Sequence, residues 1–259
     1  MSDDRLKVEL IPSTVSEAAA RQFCIAALVN DSVAIDAGSL GMLWPMQRQE
    51  AVRHVFLSHS HMDHIASLPL FLDNVYKPNQ RCPVIHASSI TEECLRQDVF
   101  NDRIWPDFFR LSEDESPFLK MQTLSSEEAV ILPDLTVTPV SVNHVVPTMA
   151  FVVQNKTAAV AFVSDTHCTD RVWTVLRQFK NLQAVYVECS FPNSHAWLAQ
   201  KSGHLCPDLL APEIGRLPDH VQVIACHLKP AFFDQITKEL SQLQLPNLEI
   251  GQPGKVYTF

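Results

Sequence analysis

The chain has 259 residues, a formal net charge of −9 at pH 7, 46% hydrophobic residues and 19% charged residues. This composition is typical of a globular protein and excludes an intrinsically disordered one. The acidic balance and the lack of a Lys and Arg cluster disfavour a nucleic-acid surface, whereas a small anionic substrate requires only local positive charge.

No feature of the sequence marks a domain boundary, an export signal or a membrane span. No repeat is visible and the length suits one core, so we expect a single domain over residues 1–259. The start "MSDDRLKVEL" lacks the layout of a signal peptide, and no apolar stretch approaches the roughly 18 residues that span a bilayer. Seven scattered cysteines without a CxxC pair indicate reduced thiols. We therefore expect a cytoplasmic protein without a membrane partner.

Short apolar runs and helical stretches alternate in the first half. They predict strands at 6–11, 24–29, 32–37, 54–59 and 83–87, and helices at 46–53 and 89–100. The apolar spacing after His64 is helical but is interrupted by Pro69. The stretch 101–118 has two prolines among aromatic and acidic residues, which predicts a loop or broken helix that could cover a site.

The second half repeats this rhythm of strands and helices. Its apolar runs predict strands at 135–142, 149–154, 158–165, 182–189 and 221–227, and helices near 170–180, 207–216 and 231–243. Two β-rich halves with helices predict a layered α/β sandwich.

Potential metal ligands follow four of the predicted strands. They are His59, His144, Asp165 and His227. Rigid strand ends can converge on one rim, where loops carry chemistry. A lone histidine is more often a packing residue, but four such strand ends favour a metal site.

The segment "HSHMDH", residues 59–64, is the densest group of ligand-type residues in the chain. His59 and His61 are two positions apart, so an extended backbone points both to one side, while Asp63 and His64 can turn towards a neighbouring position. Imidazole and carboxylate donors suit zinc, manganese or iron, and a structural zinc would more often use cysteines. One segment could therefore serve two catalytic ions.

"HSHMDH" resembles the HxHxDH signature of the metallo-β-lactamase superfamily, and His144, Asp165 and His227 follow in the order of that family's remaining ligands. The resemblance implies a four-layer αββα sandwich that binds two divalent ions. We expect Zn²⁺, with Mn²⁺ or Fe²⁺ as alternatives. The implied ligands are His59, His61 and His144 for one ion, Asp63, His64 and His227 for the other, and Asp165 between them.

Three further blocks narrow the resemblance. "ECSFPN" (188–193), "GHLCP" (203–207) and "HLKP" (227–230) resemble the class II cyclic-nucleotide phosphodiesterases and also ribonuclease Z. In those families a glutamate and a histidine assist proton transfer, and the matching residues are Glu188 and His204. The chain departs from the pattern at His167, where many relatives carry glycine, and at Cys206, where threonine is usual.

The resemblance implies hydrolysis of a small phosphodiester substrate. We expect 3′,5′-cyclic nucleotides, cAMP or cGMP, to be converted to nucleoside 5′-monophosphates by a hydroxide that bridges the two metals. Asp63 or Asp165 would orient the hydroxide, and His204, steadied by Glu188, would protonate the departing 3′ oxygen. Dimers are common among the proteins that the chain resembles.

Three alternatives stay open. A ribonuclease Z-like enzyme that processes tRNA 3′ ends is permitted by the blocks around Glu188 and His204, but the chain lacks a glycine-rich basic insertion, and "LKP" replaces an arginine-containing block. The same scaffold could hydrolyse a thioester or lactone. A binding protein with a vestigial metal site is the third alternative.

Several residues have no assigned role. His167 and Lys229 lie close to expected ligands in the sequence, whereas Trp105, Phe108 and Phe109 could stack a base but are more often core residues. The histidines outside any motif are expected at the surface or in packing: His54, His86, His195 and His220.

Overall fold

The structure, a computed structural model, describes residues 5–14, 21–78, 80–113 and 115–259. It contains two seven-stranded mixed sheets. The chain divides into two compact units, which we call the first unit (Lys7–Ser125 and Pro253–Val256) and the second unit (Met1–Leu6, Ser126–Gln252 and Tyr257–Phe259). The expected single domain therefore stays a prediction.

The first sheet has the strand order β14-β1-β2-β3-β4-β5-β6. Its strands are β1 (Lys7–Leu10), β2 (Ala27–Val29), β3 (Val33–Ile35), β4 (His54–Phe56), β5 (Val84–Ala87), β6 (Lys120–Thr123) and β14 (Val256–Thr258). Strands β1, β2 and β3 pair antiparallel, and β3 to β6 pair parallel. The histidine cluster follows β4, in the parallel part of this sheet.

The described residues of the first unit form five short α-helices: α1 (Met46–Ala51), α2 (Met62–Ile65), α3 (Leu68–Val75), α4 (Ser89–Cys94) and α5 (Phe108–Leu111). Pro69 occupies the first turn of α3, where its missing N–H would have no helical acceptor, so the proline is accommodated there and does not break the helix. Ser88 caps α4 by accepting a hydrogen bond from the Thr91 amide, and a π-helical turn, Leu95–Val99, extends it.

The second sheet has the order β13-β12-β11-β10-β9-β8-β7. Its strands are β7 (Val130–Ile131), β8 (Thr136–Val142), β9 (Thr148–Gln154), β10 (Ala159–Phe162), β11 (Leu182–Glu188), β12 (Gln222–Cys226) and β13 (Leu248–Ile250). Strands β10 to β13 pair parallel, and β7 to β10 pair antiparallel. Strands β10 and β11 are almost continuously apolar because both of their faces are buried.

The helices of the second unit are α6 (Arg171–Leu176), α7 (Ala196–Ser202), α8 (Pro207–Ile214) and α9 (Phe233–Gln242). The fully buried Trp173 of α6 donates its indole N–H to Glu213 of α8, with an Nε1–Oε2 distance of 2.6 Å. Glu213 also accepts from the Thr169 amide, so this buried carboxylate ties two helices and a loop together. Among the described residues, no helix has the length and apolar character needed to cross a membrane.

Four strands were not predicted, and all four are edge strands: β6, β7, β13 and β14. An edge strand pairs on one side only and exposes many side chains, so its sequence lacks a sustained apolar pattern. In β6, for example, three of the four residues are exposed. The unpredicted helix α7 has a single fully buried residue, Ala199.

Gly38 permits a close approach of backbone segments behind the histidine cluster. Its amide donates to the Ile25 carbonyl, and the Ile25 amide donates to the Asp63 carbonyl. A Cβ atom at Gly38 would lie 2.0 Å from the Asp63 carbonyl oxygen and 2.5 Å from the Ile25 nitrogen. Only a residue without a side chain leaves this contact intact.

Gly38→Ala is therefore expected to lower the free energy of unfolding by about 1–3 kcal/mol, since the inserted methyl forces two backbone segments apart. Urea denaturation followed by circular dichroism measures the change. Gly215→Ala is the control, because its Cβ would meet its nearest atom, the Ala211 carbonyl oxygen, at 3.3 Å. Equal urea midpoints for the two variants would contradict this interpretation.

Candidate metal site

The histidine cluster occupies an extended segment between β4 and α2. The His59 and His61 rings lie 4.6 Å apart edge to face, which agrees with the expectation that an extended backbone directs both to one side. His64 follows in α2, and its ring lies 4.2 Å from that of His59. His59 and His61 offer ligand atoms within 4.8 Å of each other, as do Asp63 and His64.

Asp36 anchors this cluster from the end of β3. Its Oδ2 lies 2.8 Å from His64 Nδ1 and accepts the Ser58 hydroxyl at 2.9 Å, and its Oδ1 accepts the Ser58 amide. Because the Ser58 hydroxyl proton goes to Asp36, His59 Nδ1 donates to Ser58 Oγ. Both imidazoles thus carry a proton on Nδ1 and a lone pair on Nε2, the tautomer that suits a metal ligand.

Asp36 is a candidate site residue that the sequence reasoning missed. The available signal was its position at the end of the apolar run "SVAIDA". Asp36 is buried and has a φ of 60°, a left-handed conformation that is uncommon for residues other than glycine. The same conformation occurs at Ser164, next to Asp165, and at His227. Such strained residues gather at functional sites, where the surrounding structure holds them in place.

Four ligand-type residues lie at one edge of the second sheet. Asp165, Glu188 and His227 lie at or just beyond the carboxyl ends of β10, β11 and β12, which are neighbouring parallel strands. Strand β8 is two antiparallel pairings away from β10 and so runs in the same direction, which brings His144 to the same edge. The carboxyl ends of parallel strands are where open α/β sheets bind ligands.

Asp165 lies at the centre of this group. Its Oδ1 is 3.5 Å from His227 Nε2, and its Oδ2 is 3.9 Å from His144 Nε2. Asp165, His204 and His227 offer ligand atoms that all lie within 4.8 Å of one another. The second unit therefore presents imidazole and carboxylate donors with the spacing of a metal site.

The two outer histidines are oriented by hydrogen bonds at Nδ1. His144 donates to the Gly203 carbonyl at 2.8 Å. Ser190 donates its hydroxyl proton to the His227 carbonyl, so His227 Nδ1 donates to Ser190 Oγ, at 2.7 Å. Burial lowers the pKa of His144 although the Gly203 carbonyl and Asp165 act in the opposite direction. The neutral form that results is the one that binds metal.

Glu188 and His204 form a buried pair beside these ligands. His204 Nδ1 lies 2.7 Å from Glu188 Oε1, and both side chains are almost fully buried. The amides of Thr166, Ser190 and Leu205 also donate to this carboxylate. Burial acts to lower the pKa of His204, but the charge and hydrogen bond of Glu188, with Asp165, outweigh it and raise that pKa above its ordinary value.

The expected metal ligands divide between the units. The cluster from His59 to His64 lies in the first unit, and His144, Asp165 and His227 lie in the second, together with Glu188 and His204. Within each unit the structure brings its own members together. The predicted ligand set as a whole stays a prediction.

The aromatic residues of 101–118 belong to the core of the first unit. Phe108 is 2% exposed and stacks on Phe118 at 4.2 Å, and Arg96 lies over the ring of Phe109. Trp105 packs against the same core. These contacts favour the packing role over a base-binding one for the part of 101–118 that the structure describes, which excludes residue 114.

Two histidines outside the motifs are paired within the first sheet. His54 Nδ1 and His86 Nε2 are 3.0 Å apart, and the His86 ring stacks on Phe56 at 4.1 Å. Burial and the neighbouring His54 lower the pKa of His86 to about 3. The pair is therefore neutral near pH 7 and packs within the sheet, as expected for histidines without a motif position.

Comparison with known proteins connects this geometry to a family. Residues 31–227 match the model of the β-lactamase superfamily domain. A probable 3′,5′-cyclic-nucleotide phosphodiesterase of Yersinia pestis is 25% identical over 81% of this chain and 67% of its own length. The 3′,5′-cyclic-nucleotide phosphodiesterase 1 of Saccharomyces cerevisiae is 27% identical over 65% of this chain, which spans about half of that protein, 51%.

Solved structures show the same fold. Unliganded yeast PDE1 matches 97% of this chain and 99% of its own with a TM-score of 0.77 and 20% identity. The metallo-β-lactamase fold protein YhfI of Bacillus subtilis matches 99% of this chain and 100% of its own with a TM-score of 0.74 and 17% identity. The short form of human tRNase Z matches 97% of this chain and 98% of its own, with a TM-score of 0.67 and 13% identity. The predicted fold class is therefore confirmed.

Glu188→Gln should lower the pKa of His204 below its ordinary value, because burial remains while the opposing carboxylate charge is removed. In the native protein the raised pKa means that protonated His204 stabilises the fold. This contribution is present below the ordinary pKa of histidine and is lost as the pH rises through the raised one. An NMR titration of metal-free protein measures the pKa directly.

Glu213→Gln is the matched control, since this carboxylate is equally buried but bonds to Trp173. Glu213→Gln should leave the pKa of His204 unchanged. A His204 pKa that does not move in Glu188→Gln would show that Glu188 does not determine it.

Proposed function

The chain belongs to the metallo-β-lactamase superfamily of metal-dependent hydrolases, and we propose that it is a phosphodiesterase that converts 3′,5′-cyclic nucleotides to nucleoside 5′-monophosphates. The observation that carries the proposal is the buried Glu188–His204 pair, whose Nδ1–Oε1 distance is 2.7 Å, beside the carboxylate of Asp165. A phosphodiester leaves an alkoxide that must be protonated, and this histidine can donate a proton. The names of both curated relatives support the same substrate class.

The donor set fits divalent metal ions. Two of its histidines use Nδ1 for hydrogen bonds, to Asp36 for His64 and to Ser190 for His227, so Nε2 is the nitrogen that can bind a metal. Bound ions would supply an activated water and would offset charge on the phosphoryl oxygens. Imidazole and carboxylate donors suit Zn²⁺, Mn²⁺ or Fe²⁺. By the family resemblance two ions would be held by these residues: His59, His61, Asp63, His64, His144, Asp165 and His227.

Glu188 and His204 would act on the leaving group. His204 donates Nδ1–H to Glu188, so the proton that it passes to the departing 3′ oxygen is the one on Nε2. The carboxylate stabilises the imidazolium before transfer and fixes the direction of the ring. Three backbone amides hold the carboxylate itself. Asp63 or Asp165 would accept a hydrogen bond from the attacking water and so orient it.

A tRNA 3′-processing activity is the second candidate, since the fold also matches that of human tRNase Z. The formal net charge of −9 disfavours it, because binding to a polynucleotide depends on clustered positive charge. A thioester or lactone hydrolase would use the same scaffold. The substrate must therefore be identified by experiment.

Protein loaded with manganese or zinc is expected to hydrolyse cAMP, cGMP or bis(p-nitrophenyl) phosphate, with a nucleoside 5′-monophosphate as the product from the cyclic nucleotides. His61→Ala should reduce turnover by more than about 100-fold, because losing a ligand costs more than losing an outer partner. The exposed His220 supplies the control variant, His220→Ala, which should retain activity.

The outcome is read by chromatography of the products, with a tRNA precursor, a glutathione thioester and a lactone assayed in parallel. Metal-replete protein that is inert towards every phosphodiester would refute the proposed phosphodiesterase activity. Cleavage of the tRNA precursor alone, with a steep salt dependence, would replace it by the second candidate.

Asp36→Asn should weaken metal binding about 10- to 100-fold, because the amide is a poor acceptor for His64 Nδ1–H and no longer orients the imidazole. Competition with a fluorescent chelator measures the affinity. Asp73→Asn, which changes an exposed aspartate of α3, is the matched control. Equal affinities in the two variants would show that Asp36 supports the fold and not the metal.

A further inference from the structure

A row of aromatic rings leads away from His204 within the second unit. The Phe191 ring lies 5.7 Å from that of His204, and the Phe232 ring lies 6.1 Å from that of Phe191. The ring of His195 lies 4.7 Å from Phe232, tilted by 42°. Phe191 is 7% exposed, whereas Phe232 and His195 are half-buried, so part of the second pair is open to a ligand.

The chain brings Phe232 to this position directly from the sheet edge. After His227, a 3₁₀ turn over Pro230–Phe232 folds the segment back, and the Phe232 amide donates to the Lys229 carbonyl at 2.9 Å. The Lys229 amide in turn donates to the carbonyl of Ser190. Four residues thus separate an expected metal ligand, His227, from an accessible aromatic ring, Phe232.

A short chain of hydrogen bonds holds the His195 ring at Nδ1. Gln235 donates its amide N–H to Ser194 Oγ at 3.1 Å, and Ser194 Oγ lies 3.0 Å from His195 Nδ1. With Nδ1 engaged by Ser194, Nε2 is the nitrogen that the ring presents to a ligand beside Phe232.

We propose that Phe232 and His195 form a base-binding surface, on which the nucleobase of the substrate stacks against Phe232 while His195 Nε2 forms a hydrogen bond with a polar atom at the edge of the base. This inference rests on the proposed function and identifies which part of the second unit recognises the nucleoside. Aromatic rings bind bases by stacking, with little dependence on base identity, and a directed hydrogen bond adds discrimination.

Lys229 extends the same surface towards the phosphate. It lies close enough to His204 for its positive charge to act to lower the pKa of that histidine, against the larger effect of Glu188. A positive group there complements the negative phosphate of a cyclic nucleotide in a chain whose net charge is −9. Phosphate and base would thus be recognised by the two ends of one turn, Lys229 and Phe232.

The test compares cAMP with methyl p-nitrophenyl phosphate, a phosphodiester without a base. Phe232→Ala should lower the ratio of kcat/KM for cAMP to kcat/KM for the base-free diester by about tenfold, with the loss mainly in KM for cAMP. His195→Phe, which keeps a ring beside Phe232 and removes the hydrogen-bonding nitrogen, should lower the ratio about fivefold. Phe232→Tyr keeps the stacking ring and should restore the ratio.

Trp197→Ala is the matched control, since this 58% exposed aromatic lies on α7, two residues from His195, and its ring faces Lys201. It should leave the ratio unchanged. Thermal unfolding of each variant separates a loss of packing from a loss of recognition, because a general loss of folded protein lowers both rates equally.

Four outcomes decide whether Phe232 and His195 form a base-binding surface. A fall in the ratio for Phe232→Ala and His195→Phe supports the inference. An active wild-type enzyme whose ratio is unchanged in both variants overturns the base-binding surface and leaves the phosphodiesterase function standing. A selective effect at Trp197 overturns the surface as well. A wild-type enzyme inert towards both diesters overturns the proposed function and the inference together.

Discussion

Every buried histidine of the candidate site has a hydrogen-bond partner at Nδ1, and the rest of the site depends on this constraint. Burying an imidazole without a partner is costly, and an unpartnered ring could rotate. The partners are Ser58 for His59, Asp36 for His64, Gly203 for His144, Glu188 for His204 and Ser190 for His227. With Nδ1 committed to the protein, Nε2 is the nitrogen that each ring directs at a ligand or substrate.

The partners also separate two kinds of histidine. His144 and His227 bond to neutral oxygens, a carbonyl and a hydroxyl, and burial lowers the pKa of His144. His204 instead bonds to the Glu188 carboxylate, and its pKa is raised. Neighbouring imidazoles at one sheet edge can therefore take different roles, since ligation needs a lone pair and general acid catalysis needs a proton.

Backbone conformation provides the precision that side chains alone cannot. Asp36, Ser164 and His227 have left-handed backbones at the points where strands end, and Gly38 allows two segments to touch behind the cluster. The rigid parallel strands of each sheet supply fixed starting points for these turns. Loops that leave such strands can change direction within one residue. After His227, for example, the short turn Pro230–Phe232 places Phe232 next to Phe191, whose ring lies near His204.

The sequence by itself determined the family and the central strands. The motif "HSHMDH" is local, and buried parallel strands have continuous apolar runs, so both are readable without a structure. Edge strands such as β6 carry no such pattern and were missed. Only the tertiary structure decided the Nδ1 partners, because Asp36 is 28 residues from His64 and Gly203 is 59 residues from His144. The physical reason is that a hydrogen bond depends on which groups long-range packing brings together, and a linear pattern does not contain that information.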